Sequence, residues 1–60
     1  MLYSVNVILG GRVVVSVSDH HADDTAARAL ARQLLADHAG AVVEVYQGPP
    51  SGQVCILTLP

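Results

Sequence analysis

No lysine, tryptophan or phenylalanine occurs in this 60-residue chain, and cysteine occurs once. Each shortage closes a class of explanation. Nucleic-acid binding rests on neutralising phosphates, and the only permanent cations, Arg12, Arg28 and Arg32, are scattered rather than gathered in a stripe. Two tyrosines offer no platform on which bases stack. A single cysteine forms no internal disulfide, and no Cys/His spacing resembles a structural zinc site. No apolar run approaches the roughly 18 residues of a membrane span. The opening Met1-Leu2-Tyr3-Ser4 lacks the basic region and cleavage pattern of a secretory leader, so the expected location is cytoplasmic.

What is present is organised around one helical segment. From Asp23 to Gly40, apolar residues fall at Ala27, Leu30, Ala31, Leu34 and Leu35, the spacing of one buried helical face. Asp23 is placed to accept from first-turn amides at the positive end of the helix dipole, and Asp24 pairs with Arg28 at i, i+4. Gly40 suits the left-handed residue that ends a helix. On this reading Leu30→Ala or Leu34→Ala costs about 2–4 kcal/mol.

The rest of the chain has period two. Tyr3, Val5, Val7 and Leu9 alternate with Leu2, Ser4, Asn6 and Ile8. Gly10-Gly11 reads as a tight hairpin turn, and Arg12–Ser18 returns with Val13, Val15 and Val17 on one face and Arg12, Val14, Ser16 and Ser18 on the other. After the helix, residues 41–47 form a third strand. The turn Gly48-Pro49-Pro50-Ser51-Gly52 and a fourth strand over 53–59 follow. The expected architecture is α+β: one ββαββ domain over residues 1–60, a four-stranded, mostly antiparallel sheet with one helix covering one face.

Sixty residues bury only about 60% of their unfolded surface, so self-association is the expected source of further burial. The uncovered face of the sheet is expected to carry Leu2, Ile8, Val14, Val42, Tyr46 and either Val54 and Ile56 or Cys55 and Leu57, too apolar a set to leave in water. A second copy, packed sheet on sheet or edge to edge in a two-fold dimer, would cover it.

Chemistry is sparse. Asp19-His20-His21 with Asp23 and Asp24 holds residue types that bind divalent metals, and His20 and His21 are the nearest approach to a ligand pair. Adjacent histidines on an extended link point apart, however, and His38 lies roughly four turns away along the helix. Solvation of the loop and capping of the helix account for these residues equally well, so no metal or other cofactor is expected. Cys55, between Val54 and Ile56, reads as a small buried hydrophobe rather than a nucleophile. No catalytic set emerges.

The run Asp23-Asp24, then Ala27-Arg28-Ala29-Leu30-Ala31-Arg32-Gln33-Leu34-Leu35, then Val43-Glu44-Val45-Tyr46-Gln47-Gly48, resembles a group of very small uncharacterised bacterial proteins. In that group a hairpin leads into an acidic-capped Ala/Arg/Leu helix, followed by a Val-Glu-Val-Trp-Gln-Gly strand and a last short strand. Tyr46 and the longer Pro-Pro turn depart from its pattern. The resemblance implies the ββαββ layout and carries no activity. The leading expectation is a non-enzymatic protein-interaction module, a homodimer of accessory or inhibitor type of phage or plasmid kind, which binds a larger protein. The alternative is a small-molecule or metal-binding protein, conceivably an enzyme, whose site is shared at an oligomer interface near His20, His21 and the Pro-Pro turn.

Overall fold

The structure, a computed structural model, describes all 60 residues. Its elements are β1 (Leu2–Leu9), β2 (Arg12–His20), α1 (Thr25–Asp37), β3 (Val42–Gln47), a single 3-10 turn (Pro50–Gly52) and β4 (Val54–Leu59). All strand pairings are antiparallel and the order across the sheet is β2-β1-β3-β4. This is the α+β, ββαββ arrangement expected from the alternation pattern. Because β2 and β3 each run antiparallel to β1, they run parallel to one another, and β2-α1-β3 forms a split β-α-β unit.

The hairpin turns where Gly10 (φ +61°) and Gly11 (φ +75°) both take positive φ, the requirement of a two-residue turn whose twist matches the strands. At the helix start, the Asp23 carboxylate accepts the Thr25 N–H at 2.9 Å. Asp24 occupies the capping position itself, and its side chain turns instead to Arg28, 2.6 Å away. The helix ends at Asp37, with the His38 ring Nδ1 2.8 Å from the Leu34 carbonyl, one of the acceptors a helix end leaves free.

The core lies between α1 and the middle strands. Val7, Val43 and Val45 are fully buried, and Val5 and Tyr3 are nearly so, with Ala27 and Ala31 pressed against them from the helix. Small alanines at these contact points let the helix backbone come close to the sheet. Leu30, Leu34 and Leu35, expected on the same buried face, pack against this core but remain partly exposed.

The helix lies over β1, β3 and β4, and its backbone stays clear of β2. This corrects the expectation that it covers the whole sheet face, and the reason is dimensional. A helix is about 10 Å wide with its side chains, while strands are spaced about 4.8 Å apart, so one helix spans roughly three of four strands.

Two bulges also change which side chains share a face. The β1–β2 pairing passes from Val7↔Val15 to Ile8↔Val13, leaving Val14 as the extra residue. Opposed residues share a face, so Val13 joins Ile8 on the open side and Arg12 joins Leu9 on the helix side, the reverse of strict alternation. In β4 the pairing passes from Val45↔Leu57 to Tyr46↔Cys55 around Ile56. Leu57, Leu59 and Ile56 pack against the core, whereas Cys55 falls beside Tyr46 and is exposed. Cys55 is therefore not a buried hydrophobe, and Ile56 turns to the core instead of standing with Val42 and Tyr46.

Candidate functional site

The surface opposite the helix can be read in rows across the strands. One row is Ser18, Ser4, Tyr46 and Cys55, and the next is Ser16, Asn6, Glu44 and Thr58. These rows are tied by side-chain hydrogen bonds. Ser4 Oγ and Ser18 Oγ lie 2.9 Å apart, Ser16 Oγ donates to Asn6 Oδ1 at 2.7 Å, and Gln53 Nε2 donates to Ser4 Oγ at 3.3 Å. Tyr46 Oη donates to Glu44 Oε1 at 3.1 Å, and this bond, with the carboxylate charge behind it, raises the phenol pKa. The middle of the face is thus polar and internally satisfied. Its apolar part is confined to the hairpin end, where Val13 and Val14 lie next to Ile8 and Val42. Leu2 stands at the opposite end beside His20. Leu2, Ile8, Val14, Val42 and Tyr46 all lie on the open face, but they do not form one continuous patch.

The barest element is β2. Of its nine residues only Val15 is partly covered; Val13, Val14 and Val17 are 59%, 49% and 37% exposed. It is an edge strand with nothing over either face along most of its length. The ladder shows which backbone groups are unpaired. His21 N–H donates to the Met1 carbonyl at 3.0 Å, and the Met1 amino group donates to the His21 carbonyl at 3.1 Å. Alternation from that pair places the N–H and C=O groups of Asp19, Val17 and Val15 toward β1, and those of His20, Ser18 and Ser16 toward solvent. The N–H of Gly48, donated to the Leu2 carbonyl from the β3 side, agrees with this phase. One outward donor is already held: His20 N–H is taken by Asp19 Oδ1 at 2.8 Å.

The histidines do not converge. His20 is exposed, His21 stacks obliquely near Tyr3 with ring centroids 6.1 Å apart, and His38 is bound at the far end of the helix. No group of three or more His, Cys, Asp or Glu side chains is placed to hold a metal ion, and the chain encloses no pocket. Tyr3 is buried, which raises its pKa, with the charges of Asp24 and Asp23 acting in the same sense. Cys55 has its Sγ 3.6 Å from both the Leu57 carbonyl and Thr58 Oγ1, and no histidine is among its hydrogen-bond partners.

Alternation alone does not single out Arg12, Val13, Ser16, Val17 and Asp19 as a set. The width of the single helix was the available signal, since it leaves one strand of four without cover. The chain matches no protein-family model, no curated protein and no solved structure. What can be said of its function therefore rests on its own geometry. No helix is long and apolar enough to cross a membrane.

Proposed function

We propose that this chain is a cytoplasmic, non-enzymatic interaction module that acts as a homodimer and, in that form, engages a larger protein. The observation that carries the reading is the bare β2 strand, four valines long in its apolar content and exposed on both faces and along its edge. An exposed, β-prone edge that carries no proline and has its charges, Arg12 and Asp19, only near its ends is a site where another chain adds, and natural proteins cover or guard such edges. Of the expected interface, Val14 lies on this strand, Leu2 and Ile8 lie beside it on β1, and Val42 and Tyr46 are one strand farther in.

A small core supports the same reading. Eight apolar residues are buried, the larger of them valines and one tyrosine, which leaves the fold dependent on additional burial. Light scattering from micromolar to millimolar concentration tests the proposal. The expected mass is twice the 6.3 kDa of one chain, and Val14→Glu shifts it toward the single-chain value. A wild-type chain that stays at 6.3 kDa to millimolar concentration would contradict it.

A further inference from the structure

The geometry of β2 points to how the two copies join, an inference that rests on the homodimer reading. We propose that a second copy of this chain adds antiparallel along β2, with Ser16 of each strand opposite Ser16 of the other. The two four-stranded sheets then form one eight-stranded sheet, and both helices lie on the same face.

Three observations select this occupant and register. First, Ser16 presents its backbone N–H and C=O outward, so two copies related by a two-fold axis through that point exchange a hydrogen-bonded pair. Second, this register sets Val15 opposite Val17 of the second copy, and Val17 opposite its Val15. These are non-hydrogen-bonded positions, where side chains approach most closely, on the helix side that α1 leaves uncovered. Moving the centre to Val17 would instead set Val15 against the carboxylate of Asp19. Third, the charges are self-complementary. Arg12 has no acidic partner within its own chain, where the single salt bridge is Asp24–Arg28. Counting across the Val14 bulge, with Val13 and Val14 together opposite Ser18 of the second copy, Arg12 falls opposite its Asp19. Arg12 pairs with Leu9 and Asp19 with Tyr3, so both side chains lie on the helix side. An ion pair thus closes each end of the four-valine strip.

The other edge, β4, is less suited: it has six residues, is interrupted by the Ile56 bulge and is bracketed by Pro49-Pro50 and Pro60.

Charge reversal tests the register, with circular dichroism confirming that each variant is folded. Arg12→Asp and Asp19→Arg are each expected to weaken the dimer by about tenfold or more, and the double variant, which rebuilds both pairs with reversed sign, to restore it. In a Cys55→Ser background, Ser16→Cys is expected to form a disulfide-linked dimer under mild oxidation, since directly opposed residues stand about 5.5 Å apart between Cα atoms. Ser18→Cys, displaced from the axis, is expected to remain unlinked. If the wild type is a dimer that ignores both charge reversals, fails to cross-link through Ser16→Cys and is split by Tyr46→Arg, the edge arrangement is overturned while the homodimer stands. A wild-type monomer at millimolar concentration overturns both.

Discussion

Asp23 shows how much a single side chain contributes to the start of the helix. Its carboxylate accepts the Thr25 backbone N–H, and this bond, with the Thr25 hydroxyl acting in the same sense, holds its pKa below the ordinary carboxylate value. A folded-state pKa that is depressed adds stability above the unfolded value of about 3.9, and that stability is lost as pH falls through the folded value. The melting temperature should therefore decline as the solution is acidified below about pH 4. Asp23→Asn, which keeps an acceptor but cannot titrate, should flatten that part of the profile relative to wild type. Equal slopes for the two proteins in thermal melts would show that Asp23 contributes nothing to the acid sensitivity. By contrast, the Asp24–Arg28 pair is about a third or more exposed at each partner, and screening by water leaves it worth well under ~1 kcal/mol.

Among elements, α1 and β3 decide the core. The fully buried contacts are valine on the sheet against alanine on the helix, so the cost of truncation belongs mainly to the strand. Val43→Ala removes two buried methyl groups' worth of surface and leaves a cavity in the core between sheet and helix; about 2–3 kcal/mol is expected. Leu34→Ala removes a partly exposed side chain and should cost less, about 1–2 kcal/mol, below what helical periodicity alone suggests. Denaturant melts of the two variants check this order, and a larger loss at Leu34 would mean the helix sits rotated from the described face.

Much of this level was legible from the residues. The Ala/Leu spacing identified α1, Gly10-Gly11 identified the hairpin, and the Pro-Pro turn separated β3 from β4. What the pattern hid were the bulges at Val14 and Ile56. A bulge inserts one residue without altering composition, yet it moves Val13 and Cys55 to the open side and brings Ile56 to the core. Strand order was hidden for a different reason: alternation marks the buried face of a strand but not its neighbour. It is the pairing of β3 with β1 that leaves β2 at the edge.

For the whole molecule, the surface is ordinary and the interior is small. An accessible area of 3616 Å² is close to the roughly 3700 Å² expected for a folded chain of this mass, so the chain is compact rather than loosely packed. With extents of 29 × 22 × 15 Å it is essentially one sheet and one helix thick. Two layers of that size cannot bury both faces of every strand, and the deficit falls on β2. Joining two copies along that strand enlarges the shared layer without asking more of either core. It also leaves the outer helix faces and the polar rows around Ser4, Asn6 and Tyr46 available to a larger partner.

Amide hydrogen exchange at Ser16 decides whether the second copy adds along β2. In an isolated chain that N–H points to solvent and has no acceptor, so it exchanges at the rate of an open amide. In a dimer joined along β2 it is bonded across the two-fold axis, and protection is expected at high protein concentration, as for the amides of β1. Exchange of Ser16 at the open rate under conditions where the mass is that of a dimer would contradict the claim that β2 is where the second copy adds.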